Sequence, residues 1–154
     1  MNKVSNKKQI PFQIKNIEIL DINLNFPGQI VKEIKTYHYN LNIQHRINEN
    51  NRLIFVDTSI EVLHQDKKTK MGFLKVTCVY FVENLLDFKS SGDNKLFDLP
   101  DNFVNTINTI SISTTRGIMF SQFRGTYLHN AILPIIDPKG FKADNQPLPS
   151  SFPE

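Results

Sequence analysis

Tryptophan is absent from this 154-residue chain, and cysteine occurs once. A single cysteine excludes an internal disulfide and fits a reducing compartment. Cys78 stands inside an apolar run and reads as a small core residue. No apolar run reaches the length of a membrane-spanning helix. The basic opening MNKVSNKKQ leads into alternating residues rather than an apolar segment, so neither a secretion signal nor membrane insertion is expected. The expected location is the cytoplasm.

Charge of one sign is not concentrated either. Lys and Arg number 18 against 15 Asp and Glu, a net charge of +3. The cations are spread along the chain, with one small clump at Lys67, Lys68 and Lys70. A nucleic-acid binder carries a denser stripe with aromatics between the charges, so no nucleic-acid partner is expected. Chemistry-bearing groups are equally scattered. His38, His45, His64 and His129 do not stand at metal-ligand spacing from one another or from Cys78. They read as solvated or capping histidines. KSSGDNK (89–95) has the composition of a phosphate loop but lacks its GxxxxGK[ST] spacing. Ser111, Ser113 and Ser121 have no base beside them in the sequence. An enzyme is not expected, nor a metal or other cofactor.

What the chain does hold is alternation. Residues 12–26 alternate apolar and polar with a phase slip near Leu20, the mark of a bulge or of a strand changing environment. Pro27-Gly28 ends that run. Residues 34–45 place Tyr37, Tyr39, Leu41 and Ile43 on one face and His38, Asn40, Asn42 and Gln44 on the other. NENN (48–51) reads as a turn. Residues 53–63 put Ile54, Val56, Thr58, Ile60 and Val62 on one side. After the polar connection 64–70, the strand 71–82 is apolar on both faces, as in a strand covered twice. With few helices available, another subunit is a candidate for the second cover.

Residues 85–99 form a loop with unusual apolar content at Leu85, Leu86, Phe88, Leu96 and Phe97. Pro100-Asp101 opens a helix, and Phe103, Ile107, Ile110, Thr114 and Ile118 recur at helical spacing. The β-branched content of NTISISTT opposes a helix, but propensity is the weaker signal. The pattern is α+β: a four-stranded antiparallel sheet followed by a long helix packed on one side. The expected divisions are a flexible start over 1–11, one domain over 12–141 and an irregular tail over 142–154. The apolar faces exceed what one small sheet and one helix cover, which marks an oligomer interface or a binding groove unless the core is simply well packed.

Several stretches, in order, resemble the bacterial preprotein-export chaperone SecB and its divergent relatives. Phe12-Gln13-Ile14, Asp21-Ile22 and Pro27 are similar to the opening strand of that family, and MGFLKVTCVYF (71–81) to its last strand. Arg116, then Arg124-Gly125-Thr126-Tyr127, then an apolar segment through Leu133 and Pro134 to Phe141, resemble its long helix and the stretch after that helix. The resemblance implies a dimer of dimers that does no chemistry and uses no ATP. Such a protein holds unfolded or aggregation-prone clients in hydrophobic grooves and passes them to a partner.

Groove positions are then expected at Ile30, Ile34, Tyr37, Phe73, Tyr80, Phe88, Leu96 and Phe97. Asp21 matches one of the acidic positions that dock the translocase motor in the export proteins. The next two positions correspond to Asn25 and Val76, which carry no charge. The missing carboxylates weaken electrostatic docking and point toward a divergent member, such as one serving the antitoxin of a toxin–antitoxin pair. The alternative is a non-enzymatic regulatory or structural adaptor that binds one folded partner through the sheet.

Overall fold

The computed structural model describes residues 9–26, 36–92 and 96–137. Four strands precede one helix: β1 (Phe12–Leu24), β2 (His38–Asn48), β3 (Leu53–Leu63), β4 (Lys70–Val82) and α1 (Asp101–Gln122), with a short 3-10 turn at Leu85–Phe88 between β4 and α1. They form an antiparallel sheet in the order β1-β4-β3-β2. β4 is therefore a central strand, paired on both edges.

The two tight connections are made by side chains. Asn48 Oδ1 accepts the Asn51 N–H at 3.1 Å in the β2–β3 turn. Between β3 and β4, Asp66 accepts from the N–H groups of Lys68 and Thr69 and from the Thr69 hydroxyl. These bonds favour the ionised carboxylate and hold its pKa down to about 2.

Register fixes the two faces. Ile54, Val56, Thr58, Ile60 and Val62 of β3 stand opposite Tyr80, Cys78, Val76, Leu74 and Gly72 of β4. Tyr39, Leu41, Ile43, His45 and Ile47 of β2 continue the same face, and α1 packs on it. Phe12 joins at one end, its ring 5.3 Å edge-on from Phe103 and 6.2 Å from Tyr80. The buried side of α1 is Phe103, Val104, Ile107, Asn108, Ser111, Ile112, Thr115 and Met119. The helix forms where the apolar period predicts it, but Ile110, Thr114 and Ile118 flank the contact rather than centre it. Polar Asn108, Ser111 and Thr115 take the inner positions because each finds a partner there. Ser111 and Thr115 donate to carbonyls one turn back, and the Tyr80 hydroxyl sits 2.8 Å from Ser111 Oγ.

The helix ends at Gln122 and the chain turns through Phe123 and Gly125, whose φ of 75° suits glycine. Phe123, Leu128, Ala131 and Leu133 are buried. The return segment is held by Arg116, which donates to the carbonyls of Leu133 and Pro134 at 2.8 and 2.9 Å. Leu128 lies so close to Gly72 that a Cβ at that glycine would stand 2.5 Å from its Cδ1.

Candidate functional site

β1 is the strand whose apolar side chains remain uncovered. Two bulges account for its phase slip: Lys15 is the extra residue between Ile14 and Asn16, and Leu20 the extra one between Ile19 and Asp21. A one-residue slip turns every following side chain over. The two insertions restore Ile17, Ile19, Ile22 and Leu24 to the face of Cys78, Val76, Leu74 and Gly72, the helix side. Without them the strand would divide its isoleucines between two faces.

α1, however, lies chiefly over β3 and β4. Ile14, Ile17, Ile19, Ile22 and Leu24 are left 40–43% exposed, and Phe26 is 66% exposed. The strip continues at Phe26, whose ring stands edge-on to Tyr127 at 5.2 Å. β1 is also an edge strand, so one side of its backbone faces no strand among the described residues.

The sequence-predicted groove positions fall in several places. Ile30 and Ile34 lie outside the described residues. Tyr37 is half-buried on the helix side, its hydroxyl donating to the Tyr127 carbonyl at 3.3 Å. Burial raises the pKa of the Tyr37 phenol. Burial, with Tyr37 nearby, pushes that of Tyr39 up to about 12. Phe88 and Leu96 are half-buried in the loop before α1, which closes on itself through the Lys89–Phe97 bridge and the Ser90 N–H to Leu96 carbonyl bond.

Two positions belong to the core of this chain. Tyr80 is fully buried, bonded to Ser111 and the Ile107 carbonyl, and desolvation drives its phenol pKa well up. Phe97 is packed in the same cluster. A side chain under the helix cannot line a surface groove, so these two correct the sequence expectation. Phe73 lies on the opposite face, in register with Asn23 and Glu61. Sequence reasoning noticed surplus apolar surface but assigned it to β4 and to the loop before the helix. The readable signal for β1 was its three isoleucines in six residues, Ile14, Ile17 and Ile19, beside a later pair, Ile22 and Leu24.

The outer face of the sheet mixes polar residues with Phe55, Phe73, Val79 and Phe81 and carries a bidentate ion pair at its middle. Arg46 donates to both Asp57 oxygens at 2.7 and 2.9 Å, and Asp57 is buried. Asp21 stands on this face opposite Lys75. Val76 instead points to the core beside Ile19 and Thr58 and is fully buried. The outer-face neighbour of Asp21 is thus a cation, Lys75, and the alignment of Val76 with an acidic docking position does not hold.

The histidines also sort out. His129 Nδ1 accepts the Gly125 N–H at 3.3 Å, a local cap after the helix. His45 is not a solvated strand-end residue: its Nε2 meets Asn108 Oδ1 at 2.6 Å between sheet and helix. Among the described residues no group of His, Cys, Asp and Glu is arranged to hold a metal ion. Cys78 is buried and its thiol pKa is raised by desolvation, which makes it a poor nucleophile.

An exposed apolar strip beside a helix has the geometry of a binding surface. A solved structure shares the architecture. It is a SecB-like chaperone of Mycobacterium tuberculosis in complex with a ChAD peptide from the HigA1 antitoxin, with a TM-score of 0.58 and 12% identity. The match covers 81% of this chain and 89% of that one. The fold is SecB-like. No family model and no curated protein matches the sequence itself. At such identity the likeness lies in the SecB-like arrangement of strands and helix. Among the described residues no helix is long and apolar enough to cross a membrane.

Proposed function

We propose that this SecB-like chain is an ATP-independent holdase of the cytoplasm that shields aggregation-prone polypeptides, without catalysing a reaction. The exposed apolar strip of β1 carries the reading. Its side chains are already ordered on a rigid sheet, so covering them costs little side-chain entropy. Covering one half-exposed isoleucine contributes about 1 kcal/mol, and a row of them binds an extended apolar segment without reading its sequence. The client class favoured is an antitoxin-like protein with an exposed apolar segment, by analogy with the peptide bound in the mycobacterial structure.

Tyr37, Phe88 and Leu96 serve in this proposal as secondary contacts, with Ile30, Ile34 and Phe73 as further candidates. The free edge of β1 is the proposed first contact of a dimer of dimers, since an open edge strand recruits another strand. Purification with bound material, identification of that material by mass spectrometry, and a solution mass test the reading together. A client with apolar segments and a tetramer mass are expected. A monomer that purifies without clients, and takes up no unfolded protein at micromolar concentration, would sink it.

A further inference from the structure

We infer that the outer face of the sheet docks an acidic, extended protein segment, at a cationic aromatic patch around Phe55 and Phe81. This site is separate from the β1 strip and does not depend on the chaperone reading. Phe81 lies beneath two cations: Lys15 Nζ at 5.6 Å and the Arg52 guanidinium at 5.2 Å from the ring centroid. Phe55 lies beneath Arg46 at 4.7 Å. Register makes the patch continuous, because Phe55 faces Val79 of β4 and Phe81 faces Leu53 of β3 and Gln13 of β1. Lys15 reaches it as the extra residue of the first bulge. Arg52 reaches it from the β2–β3 turn, where its φ of 55° and its bond to the Glu83 carbonyl fix its direction.

Asp57 is paired with Arg46 and Glu49 with Lys89, while Glu18, bonded to the neutral Asn16 amide, keeps its charge. Glu83 gives Arg52 its backbone carbonyl rather than an ion pair. Among the described residues neither Lys15 nor Arg52 has a carboxylate partner. The rings hold these two cations in place while leaving them hydrated, so a carboxylate binds without first ordering a long side chain. The half-buried rings of Phe55 and Phe81 lie beneath the cations and add apolar surface to the patch. In an extended segment every second residue shares a face, so carboxylates at alternate positions face the two cations together.

The test is fluorescence anisotropy with a short labelled peptide alternating Glu and Leu, against the same peptide with Gln for Glu and against a single-stranded oligonucleotide. The acidic peptide should bind, weaken as salt rises, and lose about tenfold in affinity with Lys15→Glu and Arg52→Glu combined. Lys15→Glu alone should give a smaller loss. Lys75→Glu, farther along the same face, should leave affinity within about twofold. Circular dichroism confirms that each variant folds. Equal binding of the Gln peptide, an equal loss with Lys75→Glu, or tighter binding of the oligonucleotide that displaces the peptide would each overturn the assignment.

Discussion

Asn108 has no exposed surface, yet it is polar, on the side of a helix that faces the sheet. Its amide oxygen meets His45 at 2.6 Å, so the bond ties α1 to β2, a strand the helix otherwise touches lightly. Asn108→Ala removes a buried partner and should lower unfolding free energy by about 1–3 kcal/mol. Urea titration measures this, and a change below about 0.5 kcal/mol would show that the bond does not matter. Cys78 makes a simpler case. With its thiol buried and its pKa raised, it should resist iodoacetamide in the native protein and react after denaturation, as read by intact mass. Asp66 works in the opposite direction. Its folded-state pKa is depressed to about 2, chiefly by the Thr69 hydroxyl bond. Its turn therefore contributes stability above the unfolded-state carboxylate range, and that contribution is lost as pH falls toward 2. A carbon NMR titration should find the Asp66 carboxyl still ionised near pH ~3; an ordinary midpoint near ~4 would contradict the bonding around it.

At the scale of elements, the segment after α1 approaches β4 closely at Gly72. Gly72→Ala would force Leu128 aside, with its Cδ1 2.5 Å from the new Cβ. The expected cost is about 1–3 kcal/mol in thermal or chemical unfolding; a neutral result would mean that the return segment moves away freely. The strand content was largely legible in the sequence. β3 runs over 53–63 as its alternation predicts, and β4 differs from its expected range only by starting at Lys70. Alternation suffices for β3, and for β4 the signal is a continuous apolar run bounded by a polar connection. β1 was legible only in part. The slip near Leu20 pointed to a bulge or a change of environment, and the earlier insertion at Lys15 was hidden, because period-two reading cannot tell the two apart. The inner face of α1 was misread for a related reason. Asn108, Ser111 and Thr115 are polar by composition, and the partners of the first two, a histidine on β2 and a tyrosine on β4, come from distant sequence. Tyr80 was assigned to a groove because apolarity alone does not say which side chains the helix will cover.

Over the whole molecule, the sheet presents two unlike surfaces. The helix side has a packed half under α1 and an open apolar half on β1. The outer side mixes polar and apolar residues, cross-braced by Arg46 and Asp57, with cations over aromatic rings at one end. In the proposed reading, one surface takes an unfolded chain and the other a charged partner. The SecB-like fold supports it by leaving β1 at the edge, where its isoleucines are ordered but not consumed by the core.

The most direct measurement is light scattering of a chemically unfolded client diluted into buffer with and without this protein, alongside the variant Ile17→Lys with Ile22→Lys. Both isoleucines are already more than 40% exposed, so the variant should fold, as judged by circular dichroism. The native chain should suppress aggregation without ATP, and the variant should lose most of that protection. Undiminished protection by the folded variant, or none from the native chain, would contradict the assignment of the β1 strip as the client-binding surface.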